Sequence, residues 1–248
     1  MGLPVLNAPT FSGTIPSTKK SFTFRPFLVK EQKILLFALE SRELINIYLA
    51  LKDIIHSCIR ETNIDVQKLP IFDLESIFLQ IGARSTGEIA NVISKCVSCK
   101  KDTELEVPLL DVSLKNYKKG ANKIKLTDSI GIVLKYPTLD DAIEVAKDDS
   151  KKDEGEEQSS YDMLLNSIES VYDENGIYKL GEDYVTDDLN VFIDSLSIEQ
   201  LRKIKTFLKE SPYLSYETKF MCPHCGHENE VEIKGIKDFF FAPSPMKT

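Results

Sequence analysis

The chain has 248 residues and a formal net charge of −8. That length supplies core for one elaborated domain or two small ones, so this is not a minimal finger that depends on metal for every contact, and the acidic balance counts against a general nucleic-acid grip. No apolar run reaches the roughly 20 residues that cross a bilayer, and the N-terminus lacks the charged-then-apolar layout of a signal peptide.

In chain order, residues 1–24 are rich in Pro, Gly, Ser and Thr and read as an extended arm, disordered alone or ordered by a partner. From Val29 to about Arg60, Leu44, Tyr48, Leu51, Ile55 and Cys58 recur at steps of four and three, which marks the buried face of a helix with Cys58 as a core residue. Asn63 to Pro70 breaks the pattern. Asp73 then reads as the cap of a second helix, with Leu74, Ile77, Phe78 and Ile81 on one face, ending near Gly82 to Gly87.

Next come two stretches of matching form: Cys96-Val-Ser-Cys99 with Leu105-Glu106-Val107 beyond it, and Cys222-Pro-His-Cys225 with Val231-Glu232-Ile233 beyond it. Each is a Cys-x2-Cys turn with an apolar-Glu-apolar strand starting six residues after the second cysteine. Four thiolates from two such turns make a closed tetrahedral zinc site, in which turn amides hydrogen-bond the sulfurs. The expected ligands of one structural zinc ion are Cys96, Cys99, Cys222 and Cys225. The second turn is the better formed, because proline pre-sets it and Gly226 takes a left-handed conformation at little cost, whereas Lys100 holds the glycine's place in the first. The separation of the turns far exceeds the roughly 15–20 residues of a compact double-knuckle finger, so the segment between must fold as a unit that returns the chain.

Other readings stay open at this point. A dithiol redox motif needs a strand-to-helix setting with one exposed, low-pKa thiol, and both motifs here precede strand-like segments. His224 and His227 offer alternative ligands or an open catalytic site, and free thiols are the remaining reading. Cysteines in metal-like pairs fit a reducing cytoplasm.

Between the turns, residues 104–107, 123–126 and 130–136 read as strands, and Thr138-Leu-Asp-Asp141 as a capping box. Residues 148–160 hold six acids, two lysines and no apolar side chain, which describes a solvated loop. Helices are expected at 161–172, 187–196 and 198–209, the last opened by Ser197-x-x-Gln200, with a turn at Asn175-Gly176. Phe239-Phe240-Phe241 ends the pattern and suits docking or packing at a strand end.

The fold class is α+β. It comprises the arm at 1–24, a helical region at 25–95, a small antiparallel zinc-ribbon-like sheet from 96–110 and 215–241, and a mixed strand-and-helix insertion at 111–214. No catalytic set emerges. There is no glycine-rich phosphate loop, no His-Glu-x-x-His and no Gly-x-Ser-x-Gly, and three histidines leave little for acid–base work.

Several blocks together resemble the baseplate hub and hub-assembly proteins of T-even-type contractile-tailed bacteriophages. They are Thr23-Phe24-Arg25-Pro26-Phe27-x-Val29-Lys30-Glu31-x-Lys33-x-Leu35-Leu36, Leu69-Pro70-x-Phe72-Asp73-Leu74-Glu75-x-x-Phe78-Leu79, Ala83-Arg84-Ser85-x-Gly87-Glu88, the first cysteine pair and Tyr136-Pro137. The similarity runs from about Thr23 to Thr138 and resumes at the second cysteine pair, while Gly82 departs from the basic residue expected there. The resemblance implies a non-enzymatic tail-morphogenesis protein made in the host cytoplasm, a component of the hub or a factor that promotes its assembly. Its partners would be other hub or spike proteins, with no direct nucleic acid, membrane or small-molecule substrate. Charged family-like residues point to contact surfaces around 25–42 and 74–88, with Arg25, Phe27, Arg84, Glu88 and Phe240 as contact residues. The competing reading is a zinc-ribbon interaction module of a transcription or nucleic-acid-processing complex.

Overall fold

A computed structural model describes residues 6–61, 63–141, 143, 164–179 and 181–240, without the side chains of residues 44, 237 and 240. The expected acidic loop at 148–160 and the start of the helix at 161–172 lie outside the described residues. The chain divides into two compact units, residues 1–115 with 213–248 and residues 116–212.

The first unit opens with an antiparallel hairpin of β1 (Phe11–Thr14) and β2 (Ser21–Phe24). The predicted extended arm is thus structured from Phe11 onward. In Ser21-Phe22-Thr23-Phe24 alternate residues point one way, and Phe22 and Phe24 are buried. A Cβ added at Gly13, the cross-strand partner of Phe22, would come within 2.6 Å of its ring, so the bare backbone makes room for the aromatic.

The helical stretch after the hairpin is two helices, α1 (Val29–Ser41) and α2 (Leu44–Cys58). They part at Arg42, whose backbone is left-handed at φ 56°, while the Ser41 hydroxyl donates to the Ala38 carbonyl at 2.7 Å. Helix α3 (Ile71–Ala83) follows Pro70, and Asp73 is not its cap. Asp73 is buried in the first turn, where its carboxylate accepts the Ser17 amide at 3.0 Å and the Ser17 hydroxyl, tying the hairpin loop to the helix. Gln80, about two turns further along the same face, donates to the Thr14 carbonyl and accepts the Thr14 amide, both at 3.0 Å.

Most of α3 is interior because it packs against α2, β1, β10 (Tyr213–Met221) and α6 (Gly235–Phe240). A helix enclosed on several sides reads as apolar nearly all round, and the sequence Ile-Phe-Asp-Leu-Glu-Ser-Ile-Phe-Leu does so apart from its acids. One of those acids, Glu75, accepts the Tyr48 hydroxyl at 2.8 Å and the Ile236 amide at 3.2 Å. Burial holds this carboxyl above its usual range, against the pull of those two donors.

The expected helical region ends at Ala83. Residues 89–95 belong instead to β3 (Ile89–Lys95), paired antiparallel with β4 (Asp102–Pro108). A second sheet has the order β11 (Glu228–Lys234), β10, β5 (Ser113–Lys115). The two knuckles therefore sit in the turns of two separate hairpins and not in one ribbon-like sheet.

The second unit is an antiparallel meander, β6 (Lys123–Lys125), β7 (Gly131–Leu134), β8 (Ile168–Tyr172) and β9 (Ile177–Lys179), with helices α4 (Thr186–Asp194) and α5 (Ile198–Lys209). Residues 164–167 are helical, but the expected helix gives way to β8, whose Ile168 and Val171 pair with β7. The capping boxes form as the spacing predicts. Thr138 N–H donates to Asp141 at 2.8 Å, and Ser197 accepts the Gln200 amide at 3.2 Å while Gln200 accepts the Ser197 amide at 2.8 Å. Leu126, Ile132, Leu134, Ile168, Leu189 and Ile204 fill this unit's own core.

Candidate metal centre

The strand-to-strand setting makes both Cys-x2-Cys turns alike. In the first, Cys96 N–H donates to the Lys101 carbonyl at 3.0 Å and Lys100 N–H to the Cys96 carbonyl at 3.0 Å. In the second, Cys222 N–H donates to the His227 carbonyl at 2.9 Å and Gly226 N–H to the Cys222 carbonyl at 2.9 Å. Lys100 and Gly226 are both left-handed, at φ 60° and 71°. The lysine thus adopts the glycine's conformation at a cost of about 1–2 kcal/mol, which shows how strongly the turn is determined by its surroundings.

These turns bring together all four expected ligands. The Sγ atoms of Cys96, Cys99, Cys222 and Cys225 lie within 4.8 Å of one another, and the cluster contains no histidine. Across the two turns, Cys96 stands 3.7 Å from Cys225 and Cys99 3.6 Å from Cys222. Tetrahedral zinc with bonds of about 2.3 Å sets sulfurs about 3.8 Å apart, so the spacing fits a metal. It does not fit a disulfide at about 2.05 Å, and all four cysteines are free. His224 and His227 are exposed, and His227 serves through its carbonyl.

The electrostatics suit thiolates. Amides of Cys99 and Ser98, together with Asn229, hold the Cys96 thiol down to about 6 against the effect of burial. Burial raises Cys222, but the amides of His224 and Cys225 outweigh it and the thiol lies below its ordinary value. Although the Lys101 amide pulls Cys99 down, burial and the neighbouring sulfurs push it up to about 11. The Cys96 thiolate is thus favoured while its neighbours' sulfurs hold the Cys99 proton on, an opposition that a bound cation would relieve. Four sulfur ligands also leave no open position for water or substrate, so the arrangement can hold structure and has no vacant coordination site for chemistry.

Sequence reasoning overlooked Asn229, which is 1% exposed. Its Oδ1 accepts the Val97 amide at 2.9 Å from the other turn, and its Nδ2 donates to the His227 carbonyl at 2.9 Å and reaches the Cys96 sulfur at 3.6 Å. One amide side chain thereby spans both knuckles and orients a ligand. Its only signal was an asparagine opening a strand at a position where an exposed polar residue is ordinary. Asn229→Ala is expected to weaken metal affinity about 10–100-fold, the usual effect of removing such a supporting group, read by competition with a chromophoric chelator.

The expected contact residues have mixed fates. Arg25 is buried beside Glu31, and Phe27 is buried with its ring stacked on Phe78 at 6.3 Å, so neither is presented to a partner. Arg84 and Glu88 are exposed and paired at 2.6 Å, with the Arg84 guanidinium 5.4 Å from the Phe11 ring centre. The Phe240 side chain lies outside the described residues, while Phe239 is buried.

Fold and site define an α+β protein in which two β-hairpins meet at a four-cysteine centre able to hold a metal ion. The chain belongs to the T4 bacteriophage base plate protein family, whose model matches residues 8–241. No curated protein and no solved structure matches it. The resemblance seen over part of the sequence therefore extends, at the level of the family, across nearly the whole chain.

Proposed function

We propose that this baseplate protein works without catalysis in tail morphogenesis, as a hub component or hub-assembly factor in the host cytoplasm, and that its four cysteines hold one structural zinc ion. The observation that carries the contact role is the outer face of α1. Val29, Leu36 and Phe37 stand on it 67%, 52% and 71% exposed, while Glu31, Leu35 and Ala38 face inward. Bulky apolar side chains presented together on a helix are a mark of a protein-binding surface. With α3 interior, the expected contact area contracts to α1 and the Arg84–Glu88 turn.

The test is complementation of a phage lacking this gene by Val29→Glu/Phe37→Glu. Because both residues are exposed, folding and metal content should hold, and the yield of complete baseplates should fall at least about tenfold, the effect of losing about 1.4 kcal/mol of association. Wild-type yield from the folded variant would overturn the α1 reading.

A further inference from the structure

The second unit carries a feature the baseplate reading does not use. Between β6 and α5 runs a cleft of about 790 Å³, whose lining includes Lys118, Lys123, Lys125, Arg202 and Lys203, against two carboxylates, Glu199 and Glu210. That is a local excess of three positive charges in a chain of net −8. None of the five cations is ion-paired with a described residue. Aromatic side chains also line it: Tyr136 and Phe207, stacked at 5.1 Å.

We infer that this cleft is a docking groove for an acidic polypeptide segment of another protein. The layout of charge decides the class of ligand. Lys123 and Lys125 alternate with Ile124 on β6, so their side chains leave the strand on one face, roughly 7 Å apart at about 3.4 Å per residue. Arg202, Lys203 and Thr206 follow along one side of α5. Cations carried on a strand and along a helix match carboxylates repeated along a chain. The aromatic pair gives the methylene stems of Glu side chains an apolar surface to cover. A long phosphate backbone would extend past the groove into the field of an acidic chain, whereas a short acidic segment is satisfied within it.

The groove is independent of the cysteine centre and of α1, so its test separates from theirs. A fluorescent decaglutamate peptide is titrated with the full-length protein at about 0.1 M salt, where the screening length is about 10 Å. Inorganic phosphate and a single-stranded oligonucleotide serve as competitors. Lys123→Glu/Arg202→Glu is expected to weaken peptide binding at least tenfold, and Lys20→Glu/Lys68→Glu, at exposed positions of the first unit, to leave it unchanged. Should the double reversal melt early, Lys123→Gln/Lys203→Gln removes charge alone and must still weaken binding. Four results would overturn the inference: no peptide binding, equal loss in the Lys20→Glu/Lys68→Glu control, tighter binding of the oligonucleotide, or displacement of the peptide by stoichiometric phosphate.

Discussion

Protein purified under reducing conditions without a histidine tag is expected to carry about one zinc ion per chain by elemental analysis. The Cys96→Ser/Cys225→Ser double variant should carry none and melt about 10 °C or more lower, since each kcal/mol shifts the melting point by about 2–4 °C at this size. The size of the effect follows from connectivity. The two knuckles occupy separate hairpins that share no strand pairing, and the cluster joins residues far apart in sequence. Removing one ligand from each knuckle abolishes a four-coordinate site and with it the binding free energy that ties the two hairpins together, leaving Cys99 half-buried and Cys222 buried as free thiols. A chelator strong enough to strip the wild type should lower its melting point to that of the double variant. Metal-free yet fully stable wild-type protein would overturn the structural role.

What could be read from the sequence was the chemistry that is local in the chain. Both Cys-x2-Cys turns, the Thr138 and Ser197 capping boxes and α5 rest on spacings of a few residues, and the structure places all of them. What escaped depended on partners far away in sequence. Ser21-Phe22-Thr23-Phe24 carries an alternation of period two, but the surrounding Pro, Gly and Ser content masked it, and only α3 shows which face is interior. Ile168 to Tyr172 has both helical and extended character, and pairing with β7 decides it. Asn229 looks like any polar residue beginning a strand until the first knuckle is brought against it. Arg25 escaped for another reason: its counter-ion Glu31 is only six residues on, but a charged residue in a family-like block reads as a contact residue until the folded chain buries it against that carboxylate.

Substituting Glu31 by Ala is expected to cost about 3–5 kcal/mol, the usual result of stranding one member of a buried ion pair. The Arg25 guanidinium, 8% exposed, donates to Glu31 at 2.8 Å, to the Pro26 carbonyl at 2.9 Å, and lies 3.7 Å from the Cys58 sulfur. Glu31 in turn accepts the Leu28 amide at 2.8 Å, which fixes the start of α1. Burial opposes ionisation of Glu31, but Arg25 and the Leu28 amide together hold its carboxyl below the ordinary 4.5. A carboxyl depressed in the folded state contributes stability that is present above 4.5 and is lost as pH falls toward its folded value. Wild-type protein should therefore lose stability with acid in that window, and Glu31→Ala should lose less of it because its deficit is already present at neutral pH. Arg25→Met/Glu31→Leu separates the charge from the geometry. If the cost of Glu31→Ala comes mainly from an uncompensated guanidinium, the apolar pair should recover most of the stability measured by urea unfolding. If it stays as unstable as the single variant, the hydrogen bonds to Leu28 and Pro26, which neither replacement can make, are the larger part of what joins β2 to α1.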